Sequence, residues 1–405
     1  ALWRGGLRWL VVMLGGWFLA GSMLAATLIT ALWQIGRYQA PFAAILLPLV
    51  GVGMGAMLYR VRPRWRQALT GGLVLWAGLV GYANFQAWDA YYDAVASTFS
   101  QQVALGGVIN DRLDAEVVVA VHDAGAIRYV GKRRTYDMIG LTTQGAADAW
   151  RQGSGAIFEL MEQAANRPTH FATYPNVATI PYFADTALFA EELYVTEPYG
   201  SRSASTAGPV KGLYKADWTP AENKEFPQQE DMRILISPMA QAMSLDLADL
   251  VDEKAKDMSW TPGRSQPGFP TEVRQFRYQT DPQVELLDGG RLISGQIAFP
   301  VTVSAHQDLL LIARVHAQGD GAIGVKVDGN DAGTWRFPAA PGRWLESVFP
   351  ISGALINEPQ VDITLQLIDE DGTALPIGFY HLWAYQGEPE LARANPQTDL
   401  GYQFT

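Results

Sequence analysis

Three long apolar segments in the first 88 residues restrict what this chain can fold into. They cover residues 7–33, 41–59 and 67–88 and contain no acidic residue. Each is near the length of about 20 residues that a helix needs to cross a bilayer. A cleaved signal peptide does not fit, because there are three segments and the first is too long. We therefore predict three transmembrane helices within residues 1–88, over the alternative of helices buried in a soluble protein.

Charge separates this block from the remainder of the chain. Residues 1–88 carry seven Arg and no Lys, Asp or Glu, whereas the remainder carries 23 basic and 41 acidic residues. This division predicts a membrane part followed by a water-facing part. The acidic excess and the lack of a basic tract argue against a nucleic-acid partner. The chain has no cysteine, which excludes disulfides and thiolate metal sites.

The placement of arginine predicts the orientation in the membrane. Four arginines crowd the second connection, residues 59–66, whereas the first connection, residues 35–40, has only Arg37. By the positive-inside rule the N-terminus and the second connection are cytoplasmic, so residues 89–405 lie on the outer, periplasmic or extracellular face. Ala1 is not methionine and an apolar segment follows almost at once, which favours a longer polypeptide of which this sequence is the visible or processed part.

Residues 89–270 are expected to form a small α/β domain on the outer face. Residues 89–112 have helical spacing and continue from the third span. Residues 117–121 form a β-branched run typical of a buried strand, residues 124–130 a short helix and residues 135–139 a second strand, which together make a parallel unit. The remaining predictions are a helix at 144–166, strands at 170–174, 188–195 and 232–237, and a loop over 201–231.

Candidate site residues follow the first strand, because parallel sheets hold sites at the carboxyl ends of their strands. Asp123 is expected to cap the short helix, with an acid or metal-ligand role as the alternative. His122 suits an anionic sugar phosphate or a metal, but one His-Asp pair is short of the three or four ligands that a metal requires, so no metal is predicted. His170 has no partner in the sequence and is interpreted as structural.

Two further groups of polar residues lie nearby. Asp137 either faces Asp123 across the strand ends or, as we favour, accepts hydrogen bonds from backbone amides of the following turn. Arg128 begins a basic stretch that also holds Lys132, Arg133 and Arg134. This stretch is either a solvated helix end, which we favour, or a contact for lipid phosphate if this edge faces the membrane.

Residues 271–387 have a period of two and are expected to form a jelly-roll-like β-sandwich. A tight hairpin turn is predicted at Asp328-Gly329, in preference to a calcium site made with Asn330 and Asp331. The style of this region resembles carbohydrate-binding jelly rolls at the level of the fold. Trp335, Trp344 and Trp383 are candidates for stacking on sugar rings, although aromatic residues also fill sandwich cores. Residues 388–405 are a polar C-terminal tail. The predicted strands are 273–278, 292–303, 309–316, 322–327, 333–337, 344–351, 361–368 and 378–385.

A longer motif connects the first strand to the second. Its residues are His122, Asp123, Gly125, Ala126, Asp137, Gly140 and Leu141. The motif resembles the outer C-terminal region of bacterial polytopic membrane glycosyltransferases of the GT-C superfamily, of the dolichyl-phosphate-mannose and arabinose-transferase type. The resemblance implies transfer of a sugar from a polyprenyl-phosphate carrier to an acceptor on the outer face, with no other cofactor.

The chain departs from that family in one important respect. GT-C enzymes have many spans and an essential acidic residue in their first outer loop, whereas residues 35–40 contain no acid. The catalytic loop is therefore expected outside this sequence, and no catalytic residue is assigned. The alternative is a non-catalytic, membrane-anchored subunit whose outer domains bind a partner complex or a glycan. A free glycan-binding receptor is a third hypothesis, which requires an exposed aromatic row on the sandwich.

Overall fold

The computed structural model describes residues 8–27, 40–175, 180–196, 206–265, 267–278, 281–369 and 372–387. The chain divides into two compact units. The first comprises Ala1–Gln102 and Glu197–Pro209, and the second Val103–Thr196 and Val210–Thr405. The predictions for the first connection, residues 35–39, and for the tail, residues 388–405, lie outside the described residues.

The first unit contains three helices: α1 (Arg8–Ala26), α2 (Ala40–Arg60) and α3 (Pro63–Thr98). Two stretches, Trp9–Ala26 and Ala40–Arg60, are long and apolar enough to cross a membrane, judged by length and composition alone. The third predicted span lies within α3, which does not meet that criterion among the described residues. The expectation of three spans is therefore met in part. A π-helical turn, Phe99–Val103, follows α3 in the chain.

The second unit begins with α4 (Ala104–Arg112), and the predicted parallel unit follows it. β1 (Val118–Val121), α5 (Ala124–Gly131) and β2 (Arg134–Asp137) form this unit, with Val121 opposite Asp137. β3 (His170–Thr173) pairs in parallel with the other side of β1. β4 (Glu191–Val195) and β5 (Gly212–Lys215) complete the sheet in the order β2-β1-β3-β5-β4. The parallel unit is confirmed, whereas β5 lies in a region predicted to be a loop.

Two predicted elements of this region are wrong. The helix expected over residues 144–166 is two helices, α6 (Ala146–Gln152) and α7 (Ser154–Glu162). The break falls at Gly153, whose positive φ of 118° and tight packing against the Thr271 carbonyl leave no room for a side chain. Residues 232–237, predicted as a strand, are the end of helix α8 (Glu230–Ile236) and its C-cap. A short apolar run fits either structure, and burial of Met232 and Leu235 against neighbouring strands decides for the helix.

A β-sandwich follows, as predicted, with strands close to the expected positions. The predicted strand over 292–303 is instead the end of one strand and the whole of the next, because residues 294–295 turn the chain back. The strands are β6 (Ala240–Asp246), β7 (Ser259–Thr261), β8 (Thr271–Tyr278), β9 (Glu285–Ile293), β10 (Gln296–Thr302), β11 (Leu309–His316), β12 (Gly321–Val327), β13 (Asn330–Phe337), β14 (Arg343–Ile351), β15 (Gln360–Leu367) and β16 (Ile377–Gln386), with helix α9 (Leu250–Ala255) after β6.

The strands form two sheets around one apolar core. The five-stranded sheet has the order β13-β12-β15-β10-β7. The six-stranded sheet has the order β11-β14-β8-β9-β16-β6, and β11 also pairs with β16, which closes part of it into a barrel. Because β6 precedes residue 271 and pairs with β16, the sandwich draws on chain from the region assigned to the α/β domain. The proposed boundary at residue 270 itself stays a prediction.

Both faces of the six-stranded sheet are covered. Alternate residues of β11, such as Leu311 and Ala313, point into the sandwich core. Their neighbours Leu310 and Ile312 pack on the opposite face against α8. This double coverage explains why every residue of β11 and β16 is buried. Polar residues on the covered face are consequently removed from water.

Candidate functional site

The candidate site begins at the carboxyl edge of the parallel strands. β1 leads directly into His122 and Asp123, and β3 leads into Tyr174 at the same edge. β5 runs antiparallel to β3, with Gly212 opposite Thr173, so Lys211 enters the edge from the other direction. The topology thus brings together four polar residues from three strands.

Asp123 is the centre of this group. Its carboxylate accepts a hydrogen bond from the Tyr174 hydroxyl at 2.7 Å and an ion-pair contact from Lys211 Nζ at 2.5 Å. His122 Nδ1 lies 3.6 Å from the same carboxylate, and its ring meets that of Tyr174 edge-on. Asp123 does stand at the N-cap position of α5, but its side chain makes no capping hydrogen bond. The predicted capping role is therefore wrong, because Lys211 and Tyr174 bind the carboxylate instead.

Burial and charge oppose each other at this pair. Burial raises the pKa of Asp123, but the nearby His122 imidazole, the charge of Lys211 and the hydrogen bond from Tyr174 outweigh it and hold the pKa well below its usual range. Burial lowers the pKa of Lys211, against the effect of Asp123. Lys211 Nζ also lies 4.3 Å from the centroid of the Tyr174 ring, a contact that favours the cation. We infer that the pair is ionised near neutral pH.

An open groove runs along α5 and β2 and is lined by none of these four residues. Its volume is about 670 Å³. Arg128 on α5 and Arg134 on β2 supply positive charge, and Gln144 and Asn166 supply amides. The remaining lining residues are Val118, Ala124, Thr135, Tyr136, Thr142, Thr143, Ala164 and Ala165. Of the residues predicted from sequence, Arg128 lines the groove, and Ala124 joins it directly to Asp123.

The other residues of the basic stretch have structural roles. Arg133 donates hydrogen bonds to the carbonyls of Asn110 and Leu113 and so ties β2 to the end of α4. Arg128 Nη1 donates to the Arg133 carbonyl at 2.5 Å. Lys132 has a positive φ of 52° and forms the C-cap of α5. Only Arg128 and Arg134 of this stretch face the groove.

Asp137 is a buried organiser of the turn after β2. Its carboxylate accepts hydrogen bonds from the backbone N–H groups of Ile139, Gly140 and Thr142. This is the favoured interpretation from the sequence, and the structure confirms it. Because the turn carries Thr142, Thr143 and Gln144, Asp137 shapes one wall of the groove.

The three tryptophans proposed for glycan stacking lie in the interior. Trp335 is 2% exposed, and Trp344 and Trp383 are fully buried. Trp344 Nε1 donates to the Leu286 carbonyl, and Trp335 Nε1 to the Ser347 hydroxyl. The stacking role is therefore wrong for these residues, because no ring face is left for a sugar. The hairpin turn predicted at Asp328-Gly329 is confirmed: it joins β12 to β13, and the Asp328 carboxylate accepts a hydrogen bond from the Asp362 N–H.

Sequence reasoning missed a second polar cluster, on the covered face of the six-stranded sheet. Lys224 is its centre. Its Nζ atom forms an ion pair with Glu159, and it also lies 2.8 Å from a carboxylate oxygen of Glu162, 3.1 Å from one of Asp246 and 3.6 Å from one of Asp288. Arg314 Nη1 donates to Asp288 at 2.7 Å. The ammonium group thus joins α7 to two strands of the sandwich. A signal existed in the sequence, since Arg314 and His381 each stand between apolar residues of a strand and Asp288 directly follows Leu286 and Leu287.

The protonation of this cluster reflects its excess of acid. Burial, together with Asp246, raises the pKa of Glu159 well above its usual value. Burial also raises the pKa of Asp246 to about 6, despite Lys224 and His381. Burial lowers the pKa of His381, but Asp246 and Asp288 reverse this and raise it to about 9. The cluster therefore favours the protonated forms of Glu159, Asp246 and His381.

Comparison with known families adds one match. The family profile of a domain of unknown function, DUF8728, matches residues 89–237, which include every residue of the groove. No curated protein matches the chain.

Several of the solved structures that are similar to the chain are carbohydrate-binding modules. One is a family 6 module of Cellvibrio mixtus lichenase 5A in complex with cellotriose, at 11% identity and a TM-score of 0.25, covering 37% of this chain and all of that one. A family 35 module of Clostridium thermocellum has 12% identity and a TM-score of 0.23, and the match covers 35% of this chain and 95% of that one. A Clostridium stercorarium module in complex with cellobiose has 14% identity and a TM-score of 0.22, and the match covers 36% of this chain and 93% of that one. These scores are too low to indicate what the present sandwich binds.

Proposed function

We propose that this protein is a membrane-anchored binding protein that takes a phosphorylated sugar in the groove along α5 and β2. The observation that carries the proposal is the pairing of Arg128 and Arg134 with amide and hydroxyl side chains around one open cavity of about 670 Å³. Guanidinium groups match phosphate oxygens in a fork geometry. Gln144, Asn166 and the threonines offer hydrogen bonds of the kind that sugar hydroxyls require.

The membrane part of the proposal rests on the first unit. Large apolar side chains on all three helices are exposed, including Trp17, Leu47 and Leu79. A water-soluble protein rarely exposes apolar surface on this scale, whereas lipid covers it without cost. With the arginines between α2 and α3 on the cytoplasmic side, the groove would lie on the outer side.

A lipid-linked sugar has both parts of the proposed ligand. A polyprenyl-phosphate sugar, the donor that the GT-C resemblance implies, offers a phosphate to the arginines and hydroxyls to the amides. The protein would then hold carrier or acceptor for a transfer reaction, as a glycosyltransferase or as a non-catalytic subunit of one. The groove argues for binding alone and assigns no catalytic residue.

The proposal is tested by calorimetric titration of the full chain in nanodiscs. The probes are mannose 1-phosphate, mannose and inorganic phosphate, with arabinose and glucose phosphates as a panel. We expect a sugar phosphate to bind more tightly than mannose or phosphate alone. The Arg134→Gln variant should weaken that binding about tenfold or more, since a charge-assisted hydrogen bond contributes about 1.5–3 kcal/mol.

Arg336→Gln is the matched control, because Arg336 is exposed on the sandwich strand β13 and does not line the groove. It should bind like the unchanged protein. Equal affinity of the Arg134→Gln variant and the control, or no binding of any sugar phosphate, would overturn the proposal.

A further inference from the structure

A second possible ligand site lies beside Lys224, where β6 and β16 meet the segment after β5. His381 and Asp246 are directly opposite each other in the antiparallel register of these strands, so their side chains lie on the same face. Glu225 reaches this pair from the covering segment. One ligand atom from each of the three residues lies within 4.8 Å of the other two.

The nitrogens of His381 lie close to both carboxylates but make no hydrogen bond with them. His381 Nε2 lies 3.6 Å from Glu225 Oε2, and His381 Nδ1 lies 3.8 Å from Asp246 Oδ1. These distances are too long for hydrogen bonds. Two ligands at 2.0–2.1 Å from a tetrahedral zinc ion lie about 3.4 Å apart. Glu225 and Asp246 face opposite nitrogens of the His381 ring, so an ion would be bound through one nitrogen, and the carboxylate on the other side would have to move towards it.

Unpartnered polar atoms point independently to a ligand. His381 is fully buried, and neither ring nitrogen makes a hydrogen bond within the described part of the chain. Asp246 Oδ1 and Asp288 Oδ1 are also buried without a hydrogen-bond partner among the described residues. Buried polar groups are nearly always satisfied, so a group of four such atoms in one place calls for an explanation.

The charge of the cluster favours a cation. Lys224 and Arg314 are set against buried carboxylates of Glu159, Asp246, Asp288 and Glu346, with Glu162 and Glu225 at the margin. The Lys224 ammonium already lies among Glu159, Asp246 and Asp288, so it serves as the cation for that group. Among the described ion pairs, Glu225 is joined by His381 and by no lysine or arginine.

Trp383 holds two of the three residues in place. Its ring stacks on that of His381, with centroids 5.1 Å apart and planes at 21°. Its Nε1 donates a hydrogen bond to the Glu225 carbonyl at 2.9 Å. The Glu225 side chain is 61% exposed, so an ion can enter from solvent and keep a water ligand. The site is therefore held on its protein side and open on the other.

We propose that Glu225, Asp246 and His381 bind a divalent transition-metal ion of the zinc class, with water as the fourth ligand. An imidazole with two carboxylates suits zinc, whereas calcium and magnesium prefer oxygen ligands alone. In this position the ion links the covering segment to the sandwich strands and offsets part of the buried negative charge.

The test uses the untagged full chain in detergent, stripped with EDTA and dialysed. Zinc content is measured by elemental analysis after equilibration, and zinc affinity by competition with a chromophoric chelator. We expect one zinc ion per chain and a higher thermal midpoint with zinc than with EDTA, while calcium and magnesium at the same concentration leave the midpoint unchanged.

Glu225→Gln is the decisive variant, because an exposed side chain can be changed without disturbing the core. It should lower zinc affinity at least tenfold. Glu222→Gln is the matched control, an exposed carboxylate in the same segment and outside the cluster. The proposal is overturned if zinc does not bind, if Glu225→Gln binds zinc like the control, or if calcium stabilises the chain and zinc does not.

Discussion

Asp123 shows at the scale of single residues how a good local signal can be redirected by tertiary contacts. A carboxylate between a strand and a helix is a favoured N-cap, but here Lys211 lies within 2.5 Å and is fully buried. Replacing Asp123 with Asn would leave that lysine without a counter-charge. We expect a loss of about 3 kcal/mol in the free energy of unfolding, at the low end for buried ion pairs because Asp123 is 28% exposed.

The matched control is Asp148→Asn, which removes the 2.7 Å surface pair with Arg151. Both partners are mostly exposed, so this change should have almost no effect. Denaturant unfolding of both variants, followed by hydrogen exchange of β1 and β3, measures the difference. Equal stability of the two variants would mean that Lys211 is not held as a cation by Asp123.

The same pair predicts a dependence on pH with a definite sign. Because the pKa of Asp123 is lower in the folded chain than in the unfolded one, its contribution to stability is present above the unfolded pKa, about 3.9. It is lost as the pH falls through the folded pKa. The stability difference between the unchanged protein and Asp123→Asn should therefore be constant from pH 5 to 7 and shrink below about pH 4. A difference that grew in acid would contradict this assignment.

Helix α7 shows how elements are joined in the second unit. Gly155, near its start, packs against the backbone of β8, and a Cβ there would lie 2.6 Å from the Glu272 carbonyl oxygen. Gly155→Ala should push α7 away from the sandwich and destabilise this joint by about 2 kcal/mol, as expected for overpacking. Hydrogen exchange should then accelerate in peptides from α7 and β8.

Gly125→Ala on α5 is the control with the opposite sign. Nothing lies within 4 Å of a Cβ at Gly125, and it has no positive φ. Alanine should therefore raise the stability of the helix by up to about 1 kcal/mol. Unchanged exchange of α7 in Gly155→Ala would show that the helix is not seated on β8 in the manner described.

Periodicity predicted the elements whose packing is local, and it failed where distant contacts decide. The parallel unit and most sandwich strands were predictable because β-branched runs and alternation with turns mark them. Helix α8 and strand β5 were not, since short segments take the structure that their neighbours allow. Within the candidate site, His122 and Asp123 stood out by their position after a strand, Asp137 by its position before a turn, and Arg128 by its basic stretch. Lys211, Tyr174 and Lys224 did not, because each reaches its partners across at least 22 residues of chain.

At the scale of the whole molecule, the arrangement of apolar and acidic blocks predicts an anchored protein with a large outer part. Exposed apolar residues cover α1, α2 and α3, whereas the second unit buries its apolar residues in its own cores. We expect the chain to remain in the membrane fraction after alkaline carbonate and to be released by detergent. Release by carbonate alone would contradict an integral anchor.

Orientation is tested separately, by protease treatment of intact cells whose outer barrier has been removed. The arginines between α2 and α3 should hold that connection in the cytoplasm, which places residues 89–405 outside. External protease should then cleave within exposed segments of the second unit, while a cytoplasmic marker protein stays intact. Replacing Arg60, Arg62, Arg64 and Arg66 with Gln should weaken this preference and yield a protected fraction. Full protection of the unchanged protein, with cleavage only after the inner membrane is opened, would show the opposite orientation. The groove would then lie in the cytoplasm and could not bind a sugar on the outer face.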